Sequence, residues 1–203
     1  MSLFYSVAYW VGLKPWERMA ALPIAQQISS LFDREESGHE PPYGAALDLG
    51  CGSGIWSATL AARGWQVTGI DIVPKALRAA RRRTREAGVE ARFIQGDLTA
   101  LRWADVGSGF RFVLDFGVIH GMKDSPRRAV GREVSAVTVA GATMLILAWE
   151  PGQRGPLPRG MSRADLEAVL PEWRLIDEEV ADVSGSPAFI AKARPHFYRL
   201  RRE

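Results

Sequence analysis

Cysteine is almost missing from this 203-residue chain. Cys51 stands alone, so no internal disulfide can form, and a reducing, cytoplasmic setting is expected. Histidine is nearly as scarce. His39, His120 and His196 lie far apart, and no C-x-x-C or H-E-x-x-H pattern occurs, so no metal site is expected. Long apolar runs are also lacking. The run at residues 3–13 is too short to span a bilayer, and it has neither the basic flank nor the small-residue cleavage site of a secretory signal. It reads as part of a helical cap. Phe4, Tyr5, Tyr9 and Trp10 would suit a lipid surface, but no stable insertion is expected.

No large excess of one charge is present either: 26 Lys and Arg face 23 Asp and Glu, for a net charge of +3. Much of the excess sits in residues 75–85, KALRAARRRTR, and in Arg199, Arg201 and Arg202. No aromatic residues interleave with the arginines of 75–85, so a base-stacking platform is missing there. The stretch reads as a solvated helix face, and no nucleic-acid partner is expected.

What remains is a composition of soluble globular type, 47% hydrophobic and 24% charged, long enough to bury a substantial core. Residues 23–36 place Ile24, Ile28, Leu31 and Phe32 at helical spacing behind Pro23. The polar, Pro/Gly-rich residues 37–44 then separate an N-terminal helical cap or lid, 1–40, from a main body, 41–203. In the body, apolar runs at 45–50, 66–70, 91–94, 110–116 and 143–149 alternate with helical patterns that include 55–63, 74–87 and 126–139. This alternation predicts an α/β, doubly wound, mostly parallel sheet with helices on both faces and ligands at the strand ends. In the last third, Ser162-x-x-Asp165 opens a helix over 164–170. Two β-like runs, 173–180 and 189–200, follow, joined by Ser184-Gly185-Ser186-Pro187. Such a pair is a hairpin, so the sheet should end with an antiparallel strand.

The chemistry concentrates at residues 45–54, AALDLGCGSG, and at Asp71 in VTGIDI. A buried strand there runs into a glycine loop and then a helix, and a second strand ends in a carboxylate. Gly50, Gly52 and Gly54 let the loop pass close under a ligand with no Cβ in the way. The helix beginning near Ile55 aims its free N–H groups at the loop. Asp71 is placed to accept both hydroxyls of a ribose. The pattern is G-x-G-x-G, with the third glycine one residue earlier than a dinucleotide pyrophosphate needs, and Ile55-Trp56 would crowd such a group.

These residues resemble the first signature of class I S-adenosylmethionine-dependent methyltransferases, in Leu47-Asp48-Leu49-Gly50-Cys51-Gly52-Ser53-Gly54. Later blocks follow in order: 67–72 with Pro74-Lys75-Ala76-Leu77 for the ribose, Gln95-Gly96-Asp97-Leu98 for the adenine, and 112–116 for the strand that enters the active site. The resemblance spans about residues 41–200. It implies a seven-stranded sheet of order 3-2-1-4-5-7-6 with strand 7 antiparallel, and S-adenosyl-L-methionine as cofactor. It also implies roles. Asp48, Gly50, Cys51, Gly52 and Gly54 would surround the methionine part and ribose. Asp71 would hold the ribose hydroxyls, with Ile72 against the adenine. Asp97 and Leu98 would read the adenine edge, and Asp115 and Phe116 would lie near the transferable methyl. Cys51 reads as a small residue packed in a tight turn rather than a nucleophile.

Methyl transfer from a sulfonium is an in-line displacement that needs a positioned nucleophile more than a catalytic side chain. His120, just past the fourth strand, is the candidate base, with a pocket-lining or loop-bonding role as the alternative. The [D/N]-P-P-[F/Y/W] motif of amino-methylating DNA enzymes is missing after that strand, and so are the Pro-Cys of cytosine C5 enzymes and the metal-binding Asp-Asn block of catechol-type enzymes. Lys14-Pro15-Trp16, together with Gly155-Pro156-Leu157 ahead of residues 162–166, resembles thiopurine, halide/thiol and heterocyclic-phenol methyltransferases. That likeness implies a small acceptor methylated on O, S or N; an aromatic or thiol-bearing one is expected, because Trp10, Trp16 and Trp149 could enclose it over the strand ends, with Trp16 and Trp149 as its pocket residues. An RNA or protein methyltransferase is the alternative. An NAD(P)-dependent oxidoreductase and a non-catalytic cofactor-binding module are the readings from other classes.

Overall fold

A computed structural model describes residues 22–152 and 158–203. Residues 1–21, which hold Lys14, Pro15 and Trp16 and make up about half of the expected cap, and residues 153–157 lie outside the described part.

The described chain runs α1 (Ile24–Glu36), β1 (Gly44–Leu49), α2 (Ile55–Arg63), β2 (Trp65–Asp71), α3 (Pro74–Glu86) and β3 (Arg92–Gln95). It continues through a 3₁₀ turn (Leu98–Trp103), β4 (Phe110–Phe116), a second 3₁₀ turn (Ile119–Gly121), α4 (Asp124–Val137) and β5 (Thr138–Trp149). The final part is α5 (Arg163–Val169), β6 (Trp173–Val180), α6 (Ala188–Lys192) and β7 (Pro195–Arg202). The strands form one sheet of order β3-β2-β1-β4-β5-β7-β6. Strands β1 to β5 are parallel, and β7 runs antiparallel to both β5 and β6. The expected topology is borne out, reversed strand included.

Alternation along the strands sorts the core into two layers. Phe112 and Leu114 of β4 and Leu145 and Leu147 of β5 point to one face, where they meet Ile24, Ile28, Leu31 and Phe32 of α1 and Leu60 of α2. Each of those large α1 side chains removes enough apolar surface from water to contribute roughly 1.5–3 kcal/mol. Val113, Met144 and Ile146 point to the other face, against Val130 and Val134 of α4 and Leu166 of α5. The helix α3 covers the sheet near its β3 edge through Leu77 and Ala80, which pack on Cys51 and Phe93.

Two segments differ from the sequence expectation. The helix expected to reach residue 139 ends at Val137, and β5 begins at Thr138 rather than 143. Thr138 turns into extended backbone while its hydroxyl donates to Val134 O at 2.9 Å, satisfying a carbonyl of the last helical turn. The strand then bulges: Phe110 pairs with Thr138, but Phe112 pairs with Thr143. The run 189–200 is also two elements. Pro187 opens the short helix α6, and Arg194 reverses the chain at φ 44° before β7 starts at Pro195. Residues 188–192 bury no side chain, so their apolar letters carry no strand signal of their own.

Candidate active site

Strand β1 ends at Leu49, and the next five residues wrap the head of α2. Gly50, Gly52 and Gly54 take φ values of 63°, 55° and 71°, a region that costs other residues strain. Each glycine is needed for space or for conformation. A Cβ on Gly50 would collide with the Val118 side chain, and one on Gly54 would stand 2.8 Å from the Ala80 Cβ. Cys51 is buried and its amide donates to Ile70 O at 3.0 Å, which pins the loop to the end of β2. Burial pushes the Cys51 thiol well above its ordinary range, as expected of a packing residue and not of a thiolate nucleophile.

Three adjacent parallel strands carry a buried carboxylate at or next to their C-terminal ends: Asp71 on β2, Asp48 on β1 and Asp115 on β4. Asp71 Oδ2 accepts from the Gly52 amide at 3.0 Å, and Oδ1 accepts from the Val73 amide at 2.8 Å. Two bonds leave part of its acceptor capacity for a ligand hydroxyl. Asp48 accepts from the Ser57 hydroxyl at 2.5 Å, so the first turn of α2 is stapled under the loop. Burial lifts Asp48 to about 7, with the charges of Asp71 and Asp115 adding to the rise and the Ser57 bond opposing it. Burial also lifts Asp115 to about 7, against the Val118 and Ile119 amides that bond to it. Asp71 is raised as well, again by burial. Burial therefore disfavours the charged form of all three carboxylates, a penalty that a neighbouring positive charge would relieve and a pyrophosphate would aggravate.

The other residues expected at the cofactor lie at or just after the C-terminal ends of β2, β3 and β4. Ile72 is 36% exposed just beyond Asp71. Asp97 is exposed and caps the 3₁₀ turn, accepting from the Thr99 amide at 2.9 Å and the Thr99 hydroxyl at 2.8 Å, while Leu98 is buried beneath. Asp115 is wholly buried and accepts from the amides of Val118 (2.8 Å) and Ile119 (3.1 Å), so it shapes the turn after β4. Phe116 sits edge-on to Trp56 at 5.7 Å and to Phe197 at 5.9 Å.

His120 is 3% exposed in that turn. Its Nδ1 accepts from the Trp149 amide at the end of β5, at 2.9 Å, and its ring meets the Trp149 indole edge to face at 5.6 Å. Trp16 lies outside the described residues, so no pairing of it with Trp149 is described. Two site residues went unread in the sequence. Ser57 is the partner of Asp48. Arg127 on α4 is 2% exposed, and it donates to the carbonyls of Ile119, His120 and Gly160. Its signal was its place in the helical repeat, three, four and seven residues before Val130, Gly131 and Val134 on the buried stripe. Among the described residues no three His, Cys, Asp or Glu side chains gather to hold a metal, and no helix is long and apolar enough to cross a membrane.

The sheet order, the reversed β7 and the glycine loop under three carboxylates define the class: this is the class I methyltransferase fold. Residues 46–141, from β1 into β5, match the family model described as a methyltransferase domain. Over 102 residues it is 33% identical to a ubiquinone biosynthesis O-methyltransferase of Cereibacter sphaeroides, covering 50% of this chain and 40% of that enzyme. It thus spans less than half the length of that relative. A longer match, 26% identical over 171 residues, covers 80% of this chain and 73% of a 2-heptyl-1-hydroxyquinolin-4(1H)-one methyltransferase of Mycobacteroides abscessus. The fold superposes with a TM-score of 0.73 on the N-methyltransferase NodS of Bradyrhizobium japonicum in complex with S-adenosyl-L-homocysteine, at 16% identity over 91% of this chain and 90% of that one.

Proposed function

We propose that this protein transfers a methyl group from S-adenosylmethionine to a heteroatom of a small aromatic or thiol-bearing acceptor. One observation carries the reading: three buried carboxylates at or next to the C-terminal ends of β2, β1 and β4, beside a loop of left-handed glycines. Bound there, S-adenosylmethionine supplies an electrophilic methyl on a sulfonium, together with an α-ammonium group. Two positive charges suit a pocket in which Asp48 and Asp115 resist ionising alone. A nicotinamide dinucleotide would instead bring its pyrophosphate to the same carboxylates.

Each residue then has a task. Gly50, Cys51, Gly52 and Gly54 let the backbone approach the ligand, and Asp48 fixes the loop through Ser57 while it supplies negative charge. Asp71 takes the ribose hydroxyls with the lone pairs its two amide bonds leave over. Ile72 and Leu98 flank the adenine, and Asp97 faces its edge with the carboxylate oxygen that Thr99 does not use. Asp115 and Phe116 close the floor beneath the methyl, and Trp149 and His120 form the acceptor side. The names of two relatives, a ubiquinone-pathway O-methyltransferase and a hydroxyquinolone methyltransferase, support an oxygen on an aromatic ring ahead of sulfur or nitrogen.

The test is methyl transfer from labelled S-adenosylmethionine to a panel of phenols, N-hydroxy heterocycles, thiols and amines, beside ribosomal RNA and bulk protein. Turnover of a small acceptor is expected. Transfer to RNA or protein alone would replace the acceptor class, and binding of cofactor with no transfer to any acceptor would point to a non-catalytic module.

A further inference from the structure

The arginine-rich helix α3 is more than the solvated face its sequence suggests. Of its five arginines, Arg78, Arg81, Arg82 and Arg85 are exposed, whereas Arg83 is half-buried. The cause is helical register. Arg83 stands three residues after Ala80, on the buried stripe that holds Leu77, Ala80 and Thr84. From there its Nε donates to Ser53 O at 3.0 Å, inside the glycine loop. The same stripe meets the loop at two further points. Cys51 packs on Leu77 and Ala80, and a Cβ added to Gly54 would stand 2.8 Å from the Ala80 Cβ. Less than two turns of α3 therefore grip residues 51, 53 and 54 together.

The bond to Ser53 holds what the other bonds of the loop do not. The amides of Cys51, Gly52 and Gly54 donate to Ile70 O, Asp71 Oδ2 and Cys51 O, at 3.0, 3.0 and 2.9 Å. Those three bonds fix N–H groups. The Ser53 carbonyl takes its bond from Arg83, and Ser53 is 4% exposed, so little water can replace that donor. The Ser53 hydroxyl is buried and has no hydrogen-bond partner among the described residues, so it does not anchor the residue. The Ser53–Gly54 peptide is a rigid plane with Ser53 O on one edge and the Gly54 N–H on the other. Gly52 and Gly54, at φ 55° and 71°, offer no side chain to resist a turn of that plane. Arg83 holds one edge and Cys51 O the other. Charge alone gives no reason for a cation at this place, because a guanidinium beside the loop opposes a sulfonium ligand. We propose that Arg83 is a positioning residue of the cofactor loop, setting the Ser53–Gly54 peptide in the arrangement that receives S-adenosylmethionine. The proposal rests on the methyltransferase reading above, and in it Arg83 acts through the loop without touching the cofactor.

Calorimetric titration of Arg83→Met, which keeps an apolar stem and removes the donor, tests the role with S-adenosylmethionine and S-adenosylhomocysteine in parallel. Both affinities are expected to fall by the same factor, about tenfold to a hundredfold, as for the loss of a hydrogen bond from a charged donor. Equal factors separate positioning from charge, because S-adenosylhomocysteine lacks the sulfonium. Arg83→Lys, which retains a cationic donor, recovers part of the loss. Arg82→Met removes the same charge from an exposed residue paired with Glu86 at 3.6 Å, and leaves both affinities within about twofold. Amide exchange in the ligand-free chain reads the loop without cofactor: the Gly54 amide exchanges about tenfold faster in Arg83→Met and unchanged in Arg82→Met. An Arg83→Met protein that melts lower yet binds both ligands like the wild type overturns the proposal, since the bond is then structural only. A variant that binds S-adenosylmethionine more tightly and S-adenosylhomocysteine unchanged overturns it as well, as does a Gly54 amide that exchanges at the wild-type rate. Should Arg83→Met fail to fold, Arg83→Gln, shorter and neutral, carries the same expectations and the same refutations. Failure of the methyltransferase reading shows separately, as a wild-type protein that binds neither ligand while its Gly54 amide still responds to the loss of Arg83.

Discussion

Lowering the pH should empty the cofactor pocket before it unfolds the protein. Asp48 and Asp115 are lifted by burial to about 7 in the empty protein, and a cationic ligand can use only their ionised forms. With midpoints near 7, about a tenth of each group is ionised at pH 6 and about three-quarters at pH 7.5. If one carboxylate must ionise on binding, affinity for S-adenosylmethionine falls roughly eightfold between those pH values, and if both must, roughly sixtyfold. The window stops at 7.5 because a ligand α-amino group begins to lose its own proton near ~8. S-adenosylhomocysteine lacks the sulfonium charge and should show a shallower dependence. Calorimetric titration in two buffers of different ionisation heat measures both parts: near pH 6 binding releases about one to two protons, and at pH 7.5 well under one per group. The same groups set a stability trend. Their folded values lie above the ordinary 3.8, so the native state holds protons that the unfolded chain has lost, and the stability they contribute is lost as pH rises from about 4 through about 7. The empty protein should therefore melt at a lower temperature at pH 7.5 than at pH 6, while the shift produced by S-adenosylmethionine is larger at pH 7.5. An affinity flat across this range, with no buffer-dependent heat, would refute the charge argument.

Asp71→Ala should lose cofactor affinity by about a hundredfold or more, since charged hydrogen bonds to two hydroxyls are worth about 1.5–3 kcal/mol each. The protein should stay folded because a desolvated carboxylate is removed along with its two amide bonds. Near-wild-type affinity for S-adenosylhomocysteine would remove Asp71 from the ribose. Gly54→Ala places a Cβ 2.8 Å from that of Ala80 at φ 71°, so denaturant unfolding should show a loss of about 1–3 kcal/mol, and an unchanged midpoint would contradict the packing described.

The parts of the fold legible in the sequence are those fixed by local chemistry. The strand–loop–helix at 44–63 announces itself because three glycines at spacing two fit only a tight turn of positive φ. The reversed strand β7 followed from two neighbouring β-like runs, which can pair only antiparallel. The early start of β5 was hidden because Thr138 reads equally well as the last residue of a helix. Only its pairing with Phe110 decides the matter, and that pairing is 28 residues away in sequence. Arg127 was hidden for a related reason: an arginine on an apolar stripe looks like one of several exposed arginines until the three carbonyls it serves are brought together by two different loops. His120 could be named from its place after the fourth strand. The amide that bonds to its Nδ1 is 29 residues further along the chain, and no local pattern records it.

The most direct test of the account is calorimetric titration of the purified, ligand-free protein with S-adenosylhomocysteine beside NADH and NADPH at pH 7.5. Saturable one-to-one binding of S-adenosylhomocysteine, with no heat from either nicotinamide, is the predicted result. Binding of a nicotinamide dinucleotide, or a folded protein that binds none of the three, would contradict the assignment of the glycine loop and the carboxylates beside it.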